Sequence, residues 1–398
     1  MSVRTRPAVA EKAGPLLVVL GGLSAVSPFA TDMYAPGLPQ IVASFGTTPA
    51  AVQLSLTACL VGTAVGQVVL GPVSDTLGRR RLLLAGTTLF SLLSLACVLA
   101  PTIEAFDLAR LLQGMAGGAG LVIGRAVITD RATGVSAARQ LSTLGAIAMT
   151  APVIAPVAGG LILGVGSWRM VFAVLAAAGM ALMAAVYTHV PETLPVQRRS
   201  RGLRTAFPAM GRLLRRRELV GCLLVMGCAL AGLFAYITGS PFVFQQAYGL
   251  SPTSYGFVFA VNAVGTVVAS IVFGRLAGRV RLPVLLTAGL AVALVSMLTL
   301  VVLLVAGIST LVTTWLCFFG LTSGFGVVLP ASTTIILAIG KESPGAASGL
   351  LGGAQFVLGA VAAPLPGAFG DTTPMSTAAV VVAFLLLCVV ALVAMGRP

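Results

Sequence analysis

Charged residues are scarce in this sequence, and so are the side chains that most enzymes use for chemistry. Only 9% of the 398 residues are charged and 58% are hydrophobic, whereas about a quarter of a soluble domain is charged. The single histidine, His189, has no neighbours that would complete a metal site or a catalytic group. No Gly-x-x-x-x-Gly-Lys-Ser/Thr phosphate loop occurs. The sequence therefore predicts neither a soluble fold nor an enzyme, and no metal or cofactor.

The six cysteines have no paired spacing that would suggest zinc or a redox couple. All of them fall within apolar runs, where we interpret them as small packing residues: Cys59, Cys97, Cys222, Cys228, Cys317 and Cys388.

Long apolar runs make up most of the chain. A helix needs about 20 mostly apolar residues to cross the hydrocarbon layer of a membrane, and the sequence contains twelve such runs. They predict an all-α membrane protein. The first run follows basic residues as a signal peptide would, but it is too long for one and should remain as span one. The predicted spans are 14–36, 51–72, 82–100, 105–129, 141–163, 167–189, 219–244, 254–274, 282–306, 309–329, 345–367 and 374–394.

The net charge of +14 is distributed unevenly between the two sides of the predicted spans. With the N-terminus inside, 21 of the 24 basic residues lie in cytoplasmic turns or tails; the exceptions are Arg110, Arg125 and Arg169. Cytoplasmic loops of membrane proteins are enriched in Lys and Arg. The charge pattern therefore places both termini in the cytoplasm and argues against a nucleic-acid partner.

The longest polar interruption divides the spans six and six. It predicts an N-terminal six-helix bundle at 1–190, a basic cytoplasmic linker at 191–218 and a C-terminal six-helix bundle at 219–398. Span starts correspond across the linker at an offset of roughly two hundred residues. Paired halves of this kind are typical of transporters with a substrate site between them at mid-membrane. The linker's arginines either bind anionic lipid or only fix topology, and we favour topology.

Three short motifs resemble the signatures of one transporter family. The loop after span two has glycines, an acid and basic residues at Gly71, Asp75, Gly78, Arg79 and Arg80. It resembles the signature loop of the major facilitator superfamily. Span four contains an Arg-x-x-Gln-Gly motif similar to the family's at Arg110, Gln113 and Gly114. Span five has the Gly/Pro pattern of the family's antiporters at Gly145, Pro152, Pro156, Gly159 and Gly160.

Two further stretches, 31–39 and 239–242, are similar to the bicyclomycin and chloramphenicol exporter branch. The chain departs from that branch at Ala331, where Asn often follows the proline. The resemblance implies two pseudo-symmetric six-helix bundles and drug export in exchange for protons. It also implies a monomer in the bacterial cytoplasmic membrane, with lipid, protons and a small drug as partners.

Two charged residues lie inside predicted spans at a similar depth. Asp32 comes four residues before the end of span one, and Arg110 comes five residues after the start of span four, so both lie roughly 6–8 Å from the outer boundary. We hypothesise that they pair and that Asp32 carries the proton, because a nearby cation lowers the pKa of a carboxyl and dehydration raises it. Alternatively, Asp32 caps a helix and Arg110 extends toward the surface.

Other residues are candidates for conformational change. Arg125 lies deep in span four and is a candidate for the inner gate, while Asp130 could contact the loop of Asp75 and Arg79. These could equally be unlinked surface charges. In span five, Pro152 and Pro156 remove backbone donors in mid-helix, which permits bending or is simply a common kink.

Drug-sized pockets combine aromatic surface with a few polar groups. The candidate drug contacts are Tyr34, Gln113, Tyr236, Asn262 and Gln355. A nutrient importer or uncoupled facilitator on the same scaffold is the main alternative function, and a sodium-coupled exporter is another.

Overall fold

The computed structural model describes residues 13–132, 134–195, 210–342, 344–368 and 370–394. Within these residues all regular structure is helical, and twelve segments are long and apolar enough to cross a membrane. The predicted all-α architecture with twelve spans is therefore confirmed. Most of the predicted linker lies outside the described residues, as do Arg4, Arg6, Lys12 and Arg397.

Nine of the twelve spans in the described residues are single helices. Spans two to six are Pro49–Leu77, Arg79–Leu99, Ile103–Arg131, Gly134–Val165 and Trp168–His189. Spans eight, nine, ten and twelve are Pro252–Leu276, Leu282–Val305, Leu311–Ile339 and Pro374–Ala394.

The other three spans contain an irregular turn near one end. Span one is the helix Ala13–Asp32, a 3-10 turn at Ala35–Gly37 and the helix Leu38–Phe45. Span seven is Arg217–Phe242 followed by a π turn at Val243–Ala247, and span eleven is Pro344–Ala362 followed by a 3-10 turn at Leu365–Gly367.

The two ends of the bundle differ in how their helices begin. At the end opposite the start of span one, here called the far end, a Ser or Thr side chain caps each helix of spans two, four, six, eight and ten. These caps are Thr48, Thr102, Ser167, Ser251 and Thr310. At the other end, here called the basic end, spans three, seven and nine begin beside Gly78, Arg216 and Arg281. Hydroxyl caps satisfy helix N–H groups without charge.

Several predicted span boundaries were wrong, among them the end of span one and the start of span five. Two were wrong because prolines do not end these helices. The sequence placed the end of span ten at Leu329, but the helix includes Pro330 and continues to Ile339. Span two likewise continues past Pro72 to Leu77. In a membrane, neighbouring helices and hydroxyl side chains can satisfy the backbone groups that a proline leaves free.

Glycines allow spans two and four to pack closely. A Cβ at Gly62 would overlap the carbonyl oxygen of Leu111, and one at Gly114 would overlap that of Cys59. Gly66 makes a similar approach to Met115. Small residues four apart drive close helix association in membranes. This packing holds span four, and with it Arg110, at a fixed position in the first six spans.

Candidate functional site

Asp32 is the last residue of the first helix, at the irregular turn within span one. Pro28 lies inside that helix, and Pro36 follows in the turn. The Asp32 side chain is buried, with 5% exposure, and Thr31 donates its hydroxyl to Oδ1 at 3.0 Å. Irregular backbone within a span is tolerated where it is buried in protein or lines a cavity. The turn therefore places a carboxyl group inside the bundle.

Arg110 is fully buried in span four. Its guanidinium donates to Oε1 of Gln113 at 2.5 Å and lies 4.4 Å from the ring centroid of Tyr34. Gln113 donates through Nε2 to Ser94 at 2.7 Å. The Nε and Nη2 atoms of Arg110 are buried and have no hydrogen-bond partner among the described residues. An aromatic face stabilises a desolvated cation by about 2 kcal/mol.

The hypothesised ion pair between Asp32 and Arg110 is wrong for this conformation. All three ion pairs formed by the described residues lie at the basic end instead. Depth along the membrane normal fixes only one coordinate, and the side chain of Arg110 is directed at Tyr34. Asp32 is within electrostatic range of Tyr236 and Tyr255 in the last six spans.

Asp107 is a second acid of this region, which the sequence reasoning missed. It lies in span four one turn before Arg110 and interacts with it electrostatically. Its Oδ1 atom is buried and has no hydrogen-bond partner among the described residues. Residues three apart on a helix lie on the same face, so this spacing could have identified the pair.

A second polar cluster lies in the last six spans. Asn262 is buried in span eight, where Nδ2 donates to the Tyr236 hydroxyl at 2.8 Å and Oδ1 accepts from Trp315 Nε1 at 3.0 Å. Tyr236 stacks on Phe259 with ring centroids 5.6 Å apart. Two of the predicted drug contacts, Tyr236 and Asn262, are therefore brought together and bonded to each other.

The two halves of the chain are spans one to six and spans seven to twelve. Span five, in the first half, packs against the second half. A Cβ at Gly159 would overlap the carbonyl oxygen of Met33, next to Asp32. A Cβ at Gly160 would lie 2.7 Å from the carbonyl oxygen of Pro252 in span eight. Pro152 and Pro156 both lie within the continuous helix of span five. The glycines therefore bring span five against both halves near the far end.

Six hydrogen bonds join the two halves among the described residues, and all lie toward the far end. Gln53 forms three of them. Its Nε2 donates to the Thr238 carbonyl and to the Thr372 hydroxyl, each at 3.3 Å, and its Oε1 accepts from the Gly367 N–H at 3.0 Å. Between the described residues of the basic end, no hydrogen bond or ion pair joins the halves. The conformation is closed at the far end.

The predicted basic-end residues form one cluster within the first six spans. Arg79 bonds Asp75 at 2.6 Å and Asp130 at 3.1 Å, and it also donates to Ser74. Gly78 has φ +97, a value that disfavours any other residue. A Cβ at Gly71 would touch the side chain of Val122 in span four. Asp75, Arg79 and Asp130 are thus in contact, as hypothesised, while their role in gating stays a prediction.

Glu192 completes this cluster and was not recognised in the sequence. Its Oε1 accepts from the backbone N–H of Arg79 at 2.9 Å, and its Oε2 accepts from that of Arg80 at 3.3 Å. The next residue, Thr193, donates to Asp130 at 3.0 Å. A carboxylate at a helix N-terminus is favourable. The start of the linker is therefore attached to the helix of span three.

Arg125 and Gln355 are less enclosed. Arg125 is exposed and forms no ion pair with a described residue, and Gln355 is half-buried. By contrast, Tyr34 and Gln113 are buried and hydrogen-bonded, Tyr34 to Ser55 at 3.1 Å. Among the predicted drug contacts, only Gln355 has appreciable free surface in this conformation.

This arrangement of twelve spans in two halves matches one family model. The model of the Major Facilitator Superfamily matches residues 20–364 and 240–398. The chain belongs to the major facilitator superfamily. It is therefore an integral membrane transporter rather than an enzyme.

Several superfamily members are similar over almost the whole chain. The uncharacterized MFS-type transporter YdgK of Bacillus subtilis is 36% identical over 92% of this chain and 91% of its own length. The bicyclomycin resistance protein homolog of Haemophilus influenzae is 28% identical over 94% of this chain and 93% of its own. The partially occluded inward-open xylose transporter XylE from E. coli has a TM-score of 0.75, with 13% identity, 96% of this chain and 97% of that chain covered.

Proposed function

We propose that this transporter exports small drug-like molecules, of the bicyclomycin and chloramphenicol type, in exchange for protons. Its 28% identity to the bicyclomycin resistance protein homolog and to the multidrug transporter MdfA of Yersinia pestis supports the substrate class. The observation that carries the coupling is Asp32, a buried carboxyl at an irregular turn inside the bundle. We place the basic end in the cytoplasm of a bacterial cell and the protein, as a monomer, in the inner membrane.

Asp32 is the proposed proton carrier. Burying a carboxylate without a cation partner costs several kcal/mol, and a bound proton removes that cost. Asp32 forms no ion pair with a described residue while the far end is closed. Protonation would therefore favour the closed far end, and release of the proton would favour hydration and opening. Arg110 would contribute a fixed positive charge to the same region.

Alternating access would occur by rocking of the bundles 1–190 and 219–398. They would move about the seam, which is the contact of Gly159 and Gly160 in span five with the two halves. In this proposal Pro152, Pro156, Gly159 and Gly160 permit the movement. The basic-end cluster and Arg125 would act when that end closes, by resemblance to the family. Drug would contact the buried polar groups of both halves once they separate: Tyr34, Gln113, Tyr236, Asn262 and Gln355.

The proposal is tested by drug uptake into everted membrane vesicles energised with a proton gradient. We expect uptake of chloramphenicol or bicyclomycin that collapses when a protonophore is added. Asp32→Asn should reduce uptake to background at normal protein level. The matched control is Asp371→Asn, an exposed acid at the far end, which should retain uptake.

Three outcomes would contradict the coupling scheme. Uptake that persists in the presence of the protonophore would indicate an uncoupled facilitator, and uptake that follows a sodium gradient would indicate sodium coupling. Full transport by Asp32→Asn would remove this residue as the proton carrier.

A further inference from the structure

A concave pocket with unpaired basic groups lies at the basic end of the first six spans, away from the seam. It has a volume of about 320 Å³, far more than one water needs. Its walls include Arg80 from span three, Arg131 from the end of span four, and Tyr187 and His189 from the last turn of span six. Leu16 of span one forms part of its base.

Neither arginine of the pocket is neutralised by a carboxylate in the described part of the chain. The ion pairs found there use Arg79 and Arg216. The acids of the neighbouring cluster already have partners, because Asp130 accepts from Arg79 and Thr193. Glu192 likewise accepts three backbone N–H groups, those of Arg79, Arg80 and Leu194. Arg80 and Arg131 are therefore available to an external anion.

The hydrogen bonds at the C-terminal end of the span-six helix leave other donors of the pocket without a partner. Arg80 donates through Nη2 to the Tyr187 carbonyl at 2.6 Å, and Thr188 satisfies the Ala184 carbonyl at 2.9 Å. These bonds offset the negative end of the helix. The Nε atom of Arg80, however, is buried and has no hydrogen-bond partner among the described residues. Arg131 is exposed. Both guanidinium groups thus keep donors for an anion such as phosphate, which guanidinium groups bind well.

The position of the pocket favours a lipid over a soluble anion. Tyr187 is 67% exposed, and Met180, two turns earlier on the same face of span six, is 50% exposed. An apolar surface therefore runs from the pocket toward mid-membrane, where an acyl chain could lie. Tyrosine is also enriched where membrane meets water. With the basic end in the cytoplasm, as proposed above, the pocket faces the leaflet with anionic headgroups.

We propose that this pocket binds the phosphate of an anionic phospholipid of the inner leaflet, through Arg80 and Arg131. The pocket is separate from the proton and drug residues. Its occupant would contact Pro191, the residue before Glu192.

Native mass spectrometry of the full-length protein, titrated with phosphatidylglycerol or phosphatidylethanolamine, tests this site. We expect the wild-type protein to retain phosphatidylglycerol in preference to the zwitterionic lipid. Arg131→Ala should weaken this binding about fivefold, and adding Arg80→Ala should weaken it about 25-fold in total, since each basic residue contributes similarly. Arg131→Lys should retain most of the binding.

The control is Arg81→Ala, which removes the same charge from an exposed residue outside the pocket. Equal weakening by Arg81→Ala and Arg131→Ala would overturn the pocket and indicate diffuse attraction. Displacement of the lipid by millimolar inorganic phosphate would overturn the lipid assignment in favour of a soluble anion. The wild-type preference between the two lipids needs no variant, and its absence would also contradict the proposal.

Discussion

Closure of the far end depends strongly on Gln53. This fully buried side chain makes three hydrogen bonds to the other half, with Thr238, Thr372 and Gly367. All three must break when the far end opens. Gln53→Leu keeps the volume of the side chain and removes the three bonds from the closed state only. The variant should therefore shift the equilibrium toward the conformation open at the far end.

The size of this shift follows from the energy of such bonds in membrane proteins. At about 0.6 kcal/mol each, three bonds amount to roughly 2 kcal/mol, which changes an equilibrium about 20-fold. A far-end-open population of about 1% would then rise to about 17%. The loss is larger if the buried N–H of Gly367 finds no new partner.

The assay is a distance measurement between spin labels on the two halves at the far end. Cysteines introduced at Ala43 and Ile308 are suitable, because both positions are exposed and the native cysteines are all buried. We expect a longer-distance population to grow in Gln53→Leu. The control is Gln246→Leu, an exposed residue of the same end. A distance distribution identical in Gln53→Leu and Gln246→Leu would refute the reasoning.

Three further substitutions test other parts of the structure. Gly62→Ala would push its methyl into the Leu111 carbonyl and should destabilise the protein by about 1–3 kcal/mol, measured as a lower thermal midpoint in detergent. Glu192→Ala removes the acceptor for two helix N–H groups and should cost about 1 kcal/mol in the same measurement. Asp107→Asn removes the acid beside Arg110 and should slow proton-driven drug uptake several-fold.

The first two have matched controls, and each of the three has a contradicting result. Gly145→Ala has nothing within 4 Å of the added carbon, so a midpoint as low as that of Gly62→Ala would contradict the packing argument. Glu342→Ala removes an exposed ion pair, which is expected to contribute little to stability. Its thermal midpoint should therefore be higher than that of Glu192→Ala. Unchanged uptake in Asp107→Asn would show that this acid does not take part in coupling.

The sequence was sufficient to predict the number of spans, because span length and hydropathy are set by the membrane rather than by tertiary contacts. For span twelve, both predicted ends, 374 and 394, coincide with those of the helix Pro374–Ala394. The errors occurred where tertiary packing replaces a local rule. Pro330 is an example, since its helix continues for nine more residues within the bundle.

The candidate site was predictable in its residue types but not in its pairings. Asp32 and Arg110 are both buried, as their depth suggested, yet rotation about the helix axis determines which partner each one meets. The Arg79 helix is capped by Glu192, which is 113 residues away in sequence. No local pattern specifies such a contact, because it depends on how span six returns to the basic end.

The two ends of the molecule are stabilised by different interactions, and this difference bears on how transport is coupled. At the far end, uncharged hydrogen bonds and glycine contacts join the halves. At the basic end, the ion pairs stay within one half each. Opening the far end breaks only weak, uncharged hydrogen bonds. The free-energy cost of one buried charge nearby is therefore large enough to determine whether this end is open or closed. Met33, the residue after Asp32, packs against Gly159 of span five, where the two halves meet. Asp32 is therefore well placed for its protonation to control opening of the far end.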